Sequence, residues 1–115
     1  MQKNTYGTRG EIIASNYLIN KGYTIVERNY KNKIGEIDII AKQGNTIVFV
    51  EVKTRMSRGF GDPLEAVNYK KQQKIRNVAT TYLMKIKKLN SPCRFDVVSI
   101  LGDTDEDIIH IENAF

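Results

Sequence analysis

The sequence predicts one α/β domain, a mixed β-sheet flanked by helices in the order α-β-β-β-α-β-β. Three observations carry this. Apolar residues recur at helical spacing near the start and again in the second half. Between those stretches lie successive β-branched runs separated by short turn signals. After the second helical stretch, Asn90-Ser91-Pro92 breaks the chain and Arg94-Phe95-Asp96-Val97-Val98-Ser99-Ile100-Leu101 reads as another strand.

A first helix over 6–21 follows from Ile12, Ile13, Ala14, Tyr17 and Leu18, with Thr5 or Thr8 as cap and Gly22 at the C-terminal stop. Residues 23–30 alternate as a strand, and 29–33 form a polar turn. Residues 34–55 form a hairpin, and 54–62, with Arg55, Arg58, Gly59 and Gly61, read as a loop. The longest helical signal spans 63–88, with Asp62 as N-cap and Pro63 in the first helical position. Leu64, Val67, Ile75, Val78, Ala79, Tyr82, Leu83 and Ile86 mark its apolar face. A short strand at 108–111 closes the chain. Short turns make the first three strands antiparallel, and the helical crossover lets the fourth pair parallel to a hairpin strand.

A chain of 115 residues is one domain with a modest core. A 41% hydrophobic and 27% charged composition argues against disorder. No apolar run reaches the roughly 20 residues of a membrane span, and no signal-peptide core is present. The single cysteine, Cys93, has no internal partner and fits a reducing cytoplasm. The net charge of +5 is uneven: residues 1–101 carry +10 and the last fourteen −5. A body this basic suits a polyanion, with nucleic acid the first candidate.

The hairpin carries the chemistry. Its arms (Ile37, Ile39, Ile40; Ile47, Val48, Phe49, Val50, Val52) flank Lys42-Gln43-Gly44-Asn45. With Gly44-Asn45 as a two-residue loop, positions whose numbers sum to 89 pair. Asp38 then faces Glu51, and Glu36 faces Lys53. Glu51 and Lys53 share one face, while Val48, Val50 and Val52 take the other. Carboxylates opposed at about 5 Å between β-carbons repel. Lys53 compensates in part, and a divalent metal would add to it. Magnesium takes one or two carboxylates together with water and phosphate oxygens. The competing reading is an exposed hairpin face of ordinary charges, and a one-residue slip would move Asp38 to the other face.

Other residues have two readings each. Glu11 either complements the first helix's dipole or reaches over the hairpin as a third carboxylate. Arg55 and Arg58 are phosphate contacts or solvated loop residues. Lys71 interrupts the apolar face of the second helix, four residues from Val67 and from Ile75. It either snorkels outward or points into a polar site beside the sheet, with Gln72 adjacent. Lys70, Lys74 and Arg76 add flanking charge. Asp96 calls for a structural partner such as a nearby arginine, and His110, the only histidine, is read as packed or surface-exposed.

Asp38 followed by Glu51-Val52-Lys53 on the next strand resembles the PD-(D/E)xK signature of restriction-endonuclease-like nucleases, although Ile37 stands where the signature has proline. The ordered set Gly7, Gly10-Glu11, Ala14, Tyr17-Leu18, Gly22-Tyr23, Arg28-Asn29-Tyr30, Gly35-Glu36-Ile37-Asp38, Val48 to Arg55, Phe60-Gly61, Glu65-Ala66-Val67, Lys71-Gln72 and Arg94 to Val97 is similar to the small bacterial YraN family, across about residues 7–100. That family resembles Holliday-junction resolvases. The resemblance implies a restriction-endonuclease-like fold, with Glu11, Asp38 and Glu51 as metal ligands. It implies Lys53 as the residue that positions or activates water, and Lys71 or Gln72 as auxiliary.

The function expected is metal-dependent endonucleolytic hydrolysis of DNA, branched DNA among the candidate substrates, with Mg2+ or Mn2+ as cofactor. Arg55, Arg58, Lys70, Lys74 and Arg76 would hold the DNA backbone. A resolvase cutting two symmetric strands acts as a homodimer. The alternatives are a nuclease-fold protein that binds nucleic acid without turnover, or a protein-interaction subunit.

Overall fold

The turn at Gly44-Asn45 sets the register on which the sheet is built. In this computed structural model, which describes residues 5–55, 67–102 and 107–115, Gln43 pairs with Thr46 and Ile39 with Val50 across that turn. Gly44 supplies its positive φ of 60°. The elements are α1 (Thr5–Asn20), β1 (Thr24–Lys31), β2 (Glu36–Gln43), β3 (Thr46–Arg55), α2 (Tyr69–Lys85), β4 (Cys93–Leu101) and β5 (Ile108–Ile111). They form one five-stranded sheet in the order β1-β2-β3-β4-β5. All pairings are antiparallel except β3 with β4. The expected α/β order and the parallel crossover are therefore present.

Helices cover both faces. Alternation along β2 and β3 sends Ile39, Ala41, Val48 and Val50 to one side, where Ala14 and Leu18 of α1 meet them. On the other side Ile40, Ile47 and Phe49 pack with Ile75, Val78, Ala79, Tyr82 and Leu83 of α2. An aromatic row fixes α2 there: Phe49 stacks on Phe95 with 5.3 Å between centroids and meets Tyr82 edge-on.

Three local expectations change. The described part of α2 begins at Tyr69, with Asn68 as N-cap accepting the Lys71 N–H at 2.9 Å. The cap and first turn expected at Asp62-Pro63-Leu64 lie outside the described residues. Ile12, expected on the apolar stripe of α1, is 45% exposed, because Ala14 and Leu18 carry the contact and Ser15 sits beside them. Arg55, expected in a loop, ends β3 opposite Leu101. α1 stops as expected: Gly22 (φ 94°) donates to Ile19, and Tyr23 donates back to Leu18.

Asp96 is fully buried on the α1 side of the sheet. Arg94 grips it through Nε at 2.9 Å and Nη2 at 3.0 Å. The Asn113 N–H adds a bond at 3.0 Å. His110 Nε2 stands 2.8 Å from it, and His110 Nδ1 stands 3.2 Å from the Tyr17 hydroxyl. The tautomer that suits both contacts carries its proton on Nε2 and accepts from Tyr17. Burial alone would raise the Asp96 carboxyl, but the bonds from His110, Arg94 and Asn113 outweigh it and hold the carboxyl below its ordinary value. The structural partner expected for Asp96 is present, and His110 is packed.

Removing Asp96 strands the Arg94 guanidinium and the His110 N–H. Asp96→Ala is expected to cost about 3–5 kcal/mol in urea unfolding at pH 7. A loss below about 1 kcal/mol would show that this network does not hold β5 to the sheet.

Candidate functional site

The strand pair β2–β3 opens at one end, and the site lies at the opening. The last ladder pair there is Ile39 with Val50. One residue on, the Asp38 carboxylate takes the place of a backbone acceptor: its Oδ2 accepts the Val52 N–H at 2.8 Å. Asp38 and Glu51 thus meet as the register requires, and their carboxyls share a hydrogen bond. The expected Glu36–Lys53 pairing is absent. Glu36 faces Lys31 of β1 instead, with 3.9 Å between their charged atoms, because β2 keeps β1 as its partner beyond the point where it leaves β3.

Two lysines answer the carboxyls. Lys71 lies one turn before Ile75 on the sheet-facing side of α2, and its Nζ stands 3.0 Å from Glu51 Oε2. Of the two readings of Lys71, the polar site beside the sheet is the one realised. Lys53 projects from β3 two residues beyond Glu51, where the Lys71 charge bears on it. Asp38, Glu51 and Lys71 border a cleft of about 630 Å3, whose wall also includes Glu36, Asn68, Lys70 and Lys74. Gly35 is part of its wall: a Cβ there would come within 3.0 Å of Lys74 Cδ, so glycine lets the Lys74 stem lie flat against the chain.

The electrostatics follow from two like-charged pairs crossing one another. Burial, the shared hydrogen bond and the charge of Glu51 push the Asp38 carboxyl up to about 9, against the lowering effect of the Val52 N–H. Burial and the neighbouring Lys71 push Lys53 below its ordinary value, although Glu51 and Asp38 pull the other way. Burial also works against charge on Lys71, but its interaction with Lys53 and the charge of Glu51 prevail, and its value is raised. A ready cation at Lys71 and a less basic amine at Lys53 result.

Other expected site residues are distributed differently. Glu11 lies within electrostatic reach and adds to the rise at Asp38. Gly10 beside it is needed where α1 crosses β3, since a Cβ there would meet the Thr54 hydroxyl. Among the described residues, however, no three acidic, histidine or cysteine side chains form a metal-binding group. Glu11 therefore does not complete a cluster with Asp38 and Glu51 in this arrangement. Gln72 is turned to the backbone, donating to the Val67 carbonyl at 2.9 Å and fixing the start of α2. Arg76 lies over the Phe95 and Phe115 rings, away from the cleft. Arg55 stands at the end of β3, and its buried Nε has no partner among the described residues. Arg58 lies outside the described residues. The Val52 N–H and the Gly35 wall were missed in the sequence, because neither a backbone donor nor a close approach leaves a side-chain signal.

Two carboxyls at one point, a fixed orientation for one of them and an open cleft fit a magnesium- or manganese-type ion that keeps most of its ligands from water and phosphate.

A family model described as Uncharacterised protein family UPF0102 matches residues 10–100. A UPF0102 protein of Thermodesulfovibrio yellowstonii is 52% identical over 109 residues, covering 95% of this chain and 94% of its own. One from Alkaliphilus oremlandii is 53% identical over 112 residues, covering 95% and 96%. One from Clostridioides difficile is 49% identical over 115 residues, covering both chains in full. The chain belongs to this family, the YraN family that its motifs resemble.

The crowding at Asp38 has a measurable consequence. Its proton is held more tightly in the folded chain than in the unfolded one. The stability this group supports is full below about pH 4 and is lost as pH rises toward the folded value near 9. Asp38→Asn keeps an acceptor for the Val52 N–H and removes the ionisation. It is expected to raise Tm by about 5 °C at pH 8 and to change it little at pH 4, in thermal melts without added metal. An unchanged or lower Tm at pH 8 would contradict the crowding.

Proposed function

We propose that this UPF0102 chain is a metal-dependent endonuclease that hydrolyses DNA phosphodiester bonds. The observation that supports the reading is the Asp38–Glu51 carboxyl pair at the β2–β3 opening, with Lys71 on Glu51, Lys53 two residues further along β3, and Lys70 and Lys74 in the cleft wall. Facing carboxyls destabilise a strand pair, and a fold retains such an arrangement most readily where a cation is to be held. A divalent ion held by Asp38 and Glu51 would polarise a phosphate oxygen and lower the pKa of a bound water.

The chain's own residues do the rest. The Val52 N–H orients Asp38, and the parallel ladder with β4 fixes Glu51 and Lys53 in register with Val97 and Ser99. Lys53, an amine of lowered basicity, is suited to take a proton from the attacking water or to steady charge on the phosphate. Lys70 and Lys74 line the cleft and suit phosphate contacts that carry no sequence information. Water adds to phosphorus, the bond to the 3′ oxygen breaks, that oxygen takes a proton from solvent to leave a 3′-hydroxyl, and a 5′-phosphate is left, by analogy with the nucleases the motif resembles. Branched DNA is the substrate class that the resolvase resemblance suggests, and a homodimer is the assembly that a paired cut requires.

A second reading is a DNA-binding module without turnover. The Lys71–Glu51 ion pair favours it, since it gives Glu51 a cation within the chain.

Cleavage of branched, flapped and linear DNA with manganese separates the two. Asp38→Ala, Glu51→Gln and Lys53→Ala are each expected to lower the rate at least about 100-fold while circular dichroism remains that of the folded chain. Salt-sensitive DNA binding that is indifferent to all three substitutions, with no cleavage by the wild type, would instead select the binding module.

A further inference from the structure

In the folded chain the cation at Glu51 is a side chain. Lys71 Nζ stands 3.0 Å from Glu51 Oε2, where the Glu51 side chain is 9% exposed and that of Lys71 is 40% exposed. The carboxylate is therefore buried and fixed, while the ammonium comes in from the open side on a flexible four-carbon stem. The first turn of α2 does not depend on that contact. Asn68 caps it, Gln72 ties it to Val67, and Ile75 anchors it in the core. Lys71 can leave Glu51 without unravelling the helix.

A magnesium-type ion needs carboxylate oxygens at about 2.1 Å, and an ammonium in contact with Glu51 Oε2 obstructs that position both by volume and by charge. We infer that Lys71 is the exchangeable counter-ion of the cation position, and that a divalent metal enters by displacing it from Glu51 into the cleft that Lys70 and Lys74 line. The inference rests on the metal-dependent reading proposed above. Its consequence is linkage: any group that draws the ammonium off Glu51 tightens metal binding by the same factor that metal tightens the binding of that group. A phosphate oxygen in the cleft is the group that fits, so metal and nucleic-acid backbone load together.

The test is calorimetric titration of manganese, without DNA, into the full chain as wild type, Lys71→Met, Lys71→Arg and Lys74→Met. Lys74→Met measures the general effect of losing one positive charge from the same cleft. Lys71→Met is expected to bind manganese about tenfold more tightly than Lys74→Met, and Lys71→Arg to return to the wild-type affinity. Without metal, Lys71→Met is expected to melt below the wild type, and saturating manganese is expected to erase that difference. Should Lys71→Met fail to fold, Lys71→Gln makes the same comparison. Affinity no tighter in the Lys71 variants than in Lys74→Met, with binding still abolished by Glu51→Gln, would overturn the exchange and leave the metal site standing. No binding by any of these proteins would overturn both.

Discussion

Where β2 and β3 part, two carboxyl groups are pressed together, and the arrangement of the cleft follows from that contact. The hairpin turn at Gly44-Asn45 sets a register in which Asp38 must meet Glu51. The strands then separate, and the Asp38 side chain takes the Val52 N–H that a neighbouring strand would otherwise have taken. The fold answers the crowding in two ways. It keeps a proton on Asp38 well above the usual carboxyl range, and it brings Lys71 from the opposite element onto Glu51. Each answer is provisional in the physical sense, since a divalent cation would make both unnecessary.

The two faces of the sheet treat buried charge in opposite ways. On the α1 side, Asp96 has a bidentate arginine, a backbone N–H and a histidine, and its carboxyl is held low. A fully partnered buried acid of this kind ties β4 to β5 and to the residues after them. On the α2 side, Asp38 has one backbone donor and a second acid, and its carboxyl is held high. The contrast is one of partners and not of burial: Asp96 is held among donors, whereas Asp38 is crowded against a second acid at the edge of a cleft.

Much of this was legible beforehand, and the reasons are local. With Gly44-Asn45 as the loop the register follows, so the Asp38–Glu51 meeting could be counted from it, and the observed pairing of Gln43 with Thr46 removes the slipped alternative. The break in the α2 stripe at Lys71 left two readings, outward or into a polar site, because helical periodicity fixes which side a residue occupies but not where a long stem ends. Asp96 could be read as structural because it interrupts an apolar strand two residues from an arginine. What could not be read depends on how elements end and cross. The loss of β2–β3 pairing past Ile39, the capture of Arg76 by Phe95 and Phe115, and the turning of Gln72 toward Val67 are set by tertiary packing. The exposure of Ile12 has the same origin, since α1 docks through its small residue, Ala14, and through Leu18. No helix among the described residues is long and apolar enough to cross a membrane.

The most direct measurement is a manganese-soaked crystal with data collected at the manganese absorption edge. An anomalous peak is expected between the Asp38 and Glu51 carboxylates, within about 2.3 Å of an oxygen of each, with Lys71 Nζ moved off Glu51. A peak bound elsewhere, or a fully ordered Lys71–Glu51 pair with no peak beside it at saturating manganese, would contradict it.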